Sequence, residues 1–151
     1  MIELLSALKK LLRGEIKIDL DSGVMAYKGR RVVAIPADVI YKVLKELDAV
    51  LAEGSLVVLE KLGYAMGAAT TETMGWSNFD DVAKELPQLA KVGGFGRVKL
   101  AEDIIEMEEL PVPADPAVAR YLSGFLRALC MEPVEMELEG DRIRAKIVKQ
   151  C

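Results

Sequence analysis

Apolar residues recur along this chain with two alternating periods, and the switches between them divide it into elements. Leu4, Leu5, Leu8, Leu11 and Leu12 fall at helical spacing, with Lys9, Lys10 and Arg13 on the polar side. This predicts an amphipathic helix over residues 1–13, closed by Gly14 and suited to packing or dimer formation. From residue 15 the period drops to two, with Ile16, Ile18 and Leu20 alternating against Glu15, Lys17 and Asp19. That is a strand with one buried face. Asp21-Ser22-Gly23 and Gly29-Arg30 are turn signals, so two further strands near 24–28 and 31–35 complete a three-stranded meander.

Helical spacing returns after Pro36, where Ile40, Val43, Leu44, Leu47, Val50 and Leu51 lie on one side of a helix ending at Gly54. Residues 55–74 are apolar around most of a helical circumference, which predicts a central buried helix. Ser77 or Asn78 caps a third helix to about residue 91, and Pro87 predicts a kink or break within it. Strands follow near 97–101 and 104–110, then a helix near 116–129 with Val118, Leu122, Phe125, Leu126 and Leu129 on its apolar side.

The last segment has the clearest local signal. Glu139-Gly140-Asp141-Arg142 places Gly first in a two-residue loop, as a type II′ hairpin turn requires. Pairing outward from it sets Glu139 against Arg142, Glu137 against Arg144 and Glu135 against Lys146 on one face. Leu138 then meets Ile143, Met136 meets Ala145 and Val134 meets Ile147 on the other. Strands and helices come in separate runs, so the fold class is α+β, an antiparallel sheet packed against a layer of helices in one domain spanning residues 1–151.

Composition narrows the function classes. Hydrophobic residues make up 52% and charged residues 29% of 151, and no apolar run approaches a membrane span, so no stable membrane insertion is expected. The start of the chain lacks the features of a secretory signal, which favours the cytoplasm, where Cys130 and Cys151 would be free thiols. A net charge of −4 argues against a nucleic acid partner. With no His in the chain, imidazole acid/base chemistry, His-activated nucleophiles and most zinc sites are excluded. Scarce amides (Asn78, Gln88, Gln150) beside abundant Glu, Lys and Arg give a thermophile-like composition.

Candidate chemistry is sparse. Gly63-Tyr64-Ala65-Met66-Gly67 puts two glycines on one helical face, each costing about 1 kcal/mol relative to Ala. Either another element approaches closely there, or a ligand groove does. Tyr64, Trp76, Phe95, Tyr121 and Phe125, with Met66 and Met74, lie on elements expected around that helix and would line a pocket for an apolar or aromatic molecule, or simply fill a core. Gly93-Gly94-Phe95-Gly96 lacks the Lys-Ser/Thr of a phosphate loop and reads as a strand-entry hinge. The carboxylates between Glu102 and Glu109 read as a solvated face, and Cys130 as a small buried hydrophobe.

Four motifs occur in order: Gly29-Arg30-Arg31-Val32-Val33-Ala34-Ile35-Pro36-Ala37, Leu62-Gly63-Tyr64-Ala65-Met66-Gly67, Phe95-Gly96-Arg97-Val98 and Tyr121-Leu122-Ser123-Gly124-Phe125-Leu126. Together, over residues 29–148, they resemble the 4-vinyl reductase (4VR) domain family of predicted hydrocarbon-binding proteins. The resemblance implies the fold of transport-particle (TRAPP) subunits and NO-signalling, ligand-sensing domains, a homodimer, and a small hydrophobic or aromatic ligand held between sheet and helices. Family cysteines before the tyrosine-bearing helix and around the last hairpin have no counterparts, since Ala119 and Arg120 precede Tyr121. Metal- and thiol-dependent functions are therefore not carried over.

The sequence thus points to binding or sensing of a small apolar or aromatic molecule by Gly63, Tyr64, Met66, Gly67, Trp76, Tyr121 and Phe125, with no catalytic residue, metal or cofactor. A ligand-free assembly subunit of transport-particle type is the alternative. A vinyl-group reductase comes third, because no site for an electron donor is evident.

Overall fold

The computed structural model describes Leu5 and residues 13–151, so the expected N-terminal helix lies outside the described residues. The chain forms two compact units, divided between Ile35 and Pro36.

In the first unit, β1 (Ile16–Asp19), β2 (Val24–Tyr27) and β3 (Arg30–Val32) form the expected antiparallel meander. The Asp19 carboxylate accepts hydrogen bonds from the Asp21 and Ser22 amides and from the Ser22 hydroxyl, which closes the first turn. The second turn is one residue earlier than expected. Tyr27 pairs with Arg30 across Lys28-Gly29, both at positive φ as a type I′ turn demands. β3 therefore starts at Arg30 and stops at Val32.

The second unit begins with α1 (Ala37–Leu51), a short 3-10 turn, and α2 (Ser55–Met74). Gly75 ends α2 in the left-handed conformation, and the Trp76 amide donates back to the Thr71 carbonyl, satisfying the last turn. α3 (Phe79–Gly93) is capped by Asn78, whose side-chain oxygen accepts from the Asp81 amide, while the Asp81 carboxylate accepts from the Ser77 amide and hydroxyl. The expected break at Pro87 does not occur, and the helix runs through it. Phe79, Val82, Leu86 and Ala90 are buried on both sides of the proline. Packing of this stripe offsets the roughly 3 kcal/mol that an interior proline costs.

Strands β4 (Arg97–Ala101), β5 (Ile104–Glu108), β6 (Met131–Glu139) and β7 (Arg142–Lys149) form an antiparallel sheet in the order β4-β5-β7-β6, with α4 (Pro116–Ala128) between β5 and β6 in sequence. The β6–β7 register agrees with the sequence from Glu139↔Arg142 back to Glu135↔Lys146. There it departs. Ile147 faces Pro133 rather than Val134, because the strand bulges between Pro133 and Glu135. Pro133 has no amide to give a ladder, and β6 is an edge strand, the place where a sheet tolerates both proline and bulge.

Ile105, Met107, Ile143, Ala145 and Ile147 form the buried face of the sheet, packed in one cluster with Phe79, Val82, Leu86, Leu126 and Leu129 from the helices. The opposite face carries Arg144 between Glu106 (3.3 Å) and Glu137 (3.8 Å), and Arg142 near Glu106 and Glu108 (both 3.7 Å).

Two expectations are corrected. α2 is not buried all round: only Ser55, Leu59, Gly63 and Gly67 are buried, while Leu56, Val57, Leu62, Tyr64 and Met66 are exposed. α2 packs chiefly on α4, so one stripe is enough to make that contact. Nor are the cysteines free, since Cys130 and Cys151 form a disulfide. The hairpin brings them together. Met131 pairs with Lys149 and the Gln150 amide donates to the Cys130 carbonyl, leaving the two Cα atoms 5.2 Å apart.

Candidate functional site

Of the residues singled out by sequence, Gly63, Gly67, Tyr121 and Phe125 meet where α2 crosses α4. A Cβ on Gly63 would run into the Tyr121 carbonyl, and one on Gly67 would lie 2.6 Å from the Phe125 carbonyl oxygen and 2.7 Å from the Ala128 Cβ. Both glycines thus serve a close helix crossing, and the space above them is occupied by the α4 backbone. A third glycine takes part from the other side. A Cβ on Gly124 would strike the Glu60 carbonyl of α2, so the two helices interlock reciprocally. Gly124 was missed as a site residue, although a glycine inside an otherwise regular helical pattern is a signal of such an approach.

Tyr121 and Phe125 are half-buried and pack on the core cluster. Burial pushes the Tyr121 phenol pKa up. Trp76 is inside that cluster, 6% exposed, and its indole N–H donates to Glu85 at 2.9 Å. Tyr64 and Met66 are not brought to the crossing; they are 52% and 54% exposed on the outside of α2.

Beside the crossing, α1, α2 and α4 meet through polar side chains. Ser55, fully buried, donates to Asp48 at 2.8 Å, and Arg120 binds both Asp48 and the Ser55 hydroxyl. Asp115 caps α4 through the Val118 amide, accepts from the Tyr41 hydroxyl at 2.8 Å and pairs with Lys45 at 3.1 Å. Partial burial works to raise the Asp115 pKa, but these hydrogen bonds outweigh it and hold the carboxyl below its ordinary range. The hydrogen bond to Asp115 raises both the Lys45 and Tyr41 values. Among the described residues no buried side-chain nitrogen or oxygen lacks a hydrogen-bond partner, and these contacts clasp the three helices together.

Two open depressions lie on the charged outer face of the sheet, both lined by Glu137 and Arg144. Their lining suits no apolar molecule. Among the described residues, no group of three or more His, Cys, Asp or Glu side chains is placed to hold a metal, and no helix is long and apolar enough to cross a membrane.

No protein-family model matches the sequence, and no curated protein does. The fold does have a counterpart. The chain superimposes on the crystal structure of the phenol-responsive sensory domain of the transcription activator PoxR with phenol, at a TM-score of 0.62 and 18% identity, over 95% of this chain and 90% of that one. It is therefore an α+β protein with antiparallel sheets that shares the fold of a sensory domain.

Proposed function

We propose that this chain senses a small hydrophobic or aromatic molecule, taken up between sheet and helices beside the α2–α4 crossing. What carries the reading is the extent of the fold match: a sensory domain that responds to phenol aligns over 95% of the chain. Tyr121 and Phe125 are the side chains we assign to the ligand, with Trp76 in the core cluster they pack against and Gly63 and Gly67 setting the helix spacing. Ligand entry then requires the helices to part from the filled core of the free protein. We assign the chain to the 4VR family on its ordered motifs, and we read it as a homodimer.

Phenol is the first probe to use. Isothermal titration should give saturable binding that Phe125→Ala weakens at least tenfold, with the variant's unfolding transition still cooperative. If neither phenol nor a series of alkylphenols binds saturably, the sensing reading fails.

A ligand-free assembly subunit is the second reading. It is favoured by the glycines of α2, whose open side is filled by the backbone of α4. Native mass spectrometry of gently purified protein separates the two, because a retained small molecule fits only the first. We place the protein in the cytoplasm of a thermophile, a setting in which the Cys130–Cys151 disulfide can persist.

A further inference from the structure

We propose that the Cys130–Cys151 pair is a reversible thiol–disulfide exchange site, and that its reduction loosens the end of α4 and tightens ligand binding at the α2–α4 crossing. The effect on binding rests on the sensing reading above, whereas the exchange itself stands on the surroundings of the disulfide.

Cys130 is the point where three elements meet. It follows the end of α4, precedes β6, and its carbonyl accepts the Gln150 amide at 3.0 Å as the chain returns from β7. The cross-link is not what brings the two cysteines together. Met131 pairs with Lys149 and the ladder runs on to Glu139 and Arg142, so the hairpin holds its own ends. Cutting the bond leaves these contacts standing, and the reduced chain keeps its fold. Cys151 is exposed and Cys130 half-buried, so a reductant in solvent approaches from the Cys151 side. Exposed disulfides are the readily reduced kind that serve regulation.

The co-reactant is a dithiol. One of its sulfurs, as thiolate, attacks the Cys151 sulfur, the Cys130–Cys151 bond breaks, and Cys130 leaves as a thiolate that takes up a proton. The second sulfur of the reductant then attacks the first, closing the reductant's own disulfide and releasing Cys151 as the second thiol. Two electrons and two protons pass from the dithiol to the pair, and oxidation returns them.

What the bond restrains is the last turn of α4. Cys130 has a φ of 66°, a left-handed conformation that residues other than glycine adopt at a cost. In that conformation its amide donates to the Arg127 carbonyl at 3.2 Å and closes the turn. The cross-link holds Cys130 there by its side chain, and once it is cut the residue is free to relax. This turn faces α2: Gly67 lies against the Phe125 carbonyl and the Ala128 methyl, and the Thr71 hydroxyl donates to the Ala128 carbonyl at 3.3 Å. A ligand entering beside Phe125 must displace the same contacts, so the reduced protein has less to give up on binding.

The test compares oxidised protein, protein treated with dithiothreitol, and Cys151→Ser. Dithiothreitol should expose both thiols of the folded chain without denaturant, with an unchanged circular dichroism spectrum. A need for denaturant would overturn the exchange site. Amide hydrogen exchange across residues 125–130 should rise about tenfold on reduction and in Cys151→Ser, while α1 and α3 keep their protection. Equal exchange in the two redox states would overturn the coupling to α4. Phenol should bind the reduced protein about tenfold more tightly than the oxidised, and Cys151→Ser should match the reduced protein with or without dithiothreitol. Equal affinities would overturn the control of binding. Phenol binding in neither state would overturn the sensing reading instead, with hydrogen exchange still deciding whether the disulfide governs α4.

Discussion

Gly63→Ala sets two well-defined effects against each other. Taken as a helix alone, α2 should gain about 1 kcal/mol from replacing an interior glycine with alanine. Taken in the fold, the new methyl overlaps the Tyr121 carbonyl oxygen and lies 2.8 Å from its carbon and 3.0 Å from the Phe125 amide nitrogen. These are backbone atoms of a packed helix, so no rotamer change relieves the overlap, and α2 and α4 must move apart by about an ångström or more to regain van der Waals distance. Separation loosens Leu59 and opens the partner contacts at Gly67 and Gly124 as well. Overpacking of this kind costs about 1–3 kcal/mol by itself. Adding the loosened contacts and subtracting the propensity gain leaves a destabilisation of roughly 2 kcal/mol, or about 4–8 °C in Tm for a chain of this size. Urea titration and thermal melts followed by circular dichroism measure it. Gly54→Ala is the matched control, because its Cβ meets nothing within 4 Å and its φ of −69° suits any residue. It should leave stability unchanged or raise it by up to about 1 kcal/mol. If Gly63→Ala is as stable as Gly54→Ala, the close crossing is not what the glycine is for.

Three further outcomes follow from the same geometry. Reducing the Cys130–Cys151 disulfide, or making Cys151→Ala, frees the ends of a segment spanning 21 positions and should lower stability by about 3 kcal/mol, read as a fall in Tm with added reductant. Asp115 has a folded pKa below its unfolded value, so its contribution is present above about pH 4 and lost as pH falls through the depressed value. Asp115→Asn, which can still cap α4, should therefore flatten the acid limb of stability against pH, and an unchanged limb would count against the Tyr41-Lys45-Asp115 cluster. Asn78→Ala removes the acceptor for the Asp81 amide and should cost about 1 kcal/mol in urea unfolding.

How far the sequence could be read follows from the range of the forces involved. The Glu139-Gly140-Asp141-Arg142 turn selects its own type, and alternation of charge with apolar residues then specifies register, because a one-residue slip would turn every apolar side chain to water. The limits of α2 were legible for the same reason, as was a cap at Ser77 or Asn78, which the structure assigns to Asn78, since each depends on a few adjacent residues. Of the proposed site, the pairing of Gly63 and Gly67 with Tyr121 and Phe125 was legible only as a list of residues. Their meeting at one crossing, and the separation of Tyr64 and Met66 from it, depend on where α4 lies.

By itself, then, the sequence determined the order and type of the strands and helices from residue 15 onward and the turn and charged ladder of the last hairpin, all set by interactions within a few residues or between neighbouring strands. Only the tertiary structure decided the rest. It carried α3 through Pro87 by burying a stripe on both sides, put the bulge at Val134 where an edge strand could bear it, and joined Cys130 to Cys151 through the hairpin's return. It also buried one stripe of α2 instead of the whole helix. Each depends on which distant surface arrives opposite a residue, and that information lies in no local window of the chain.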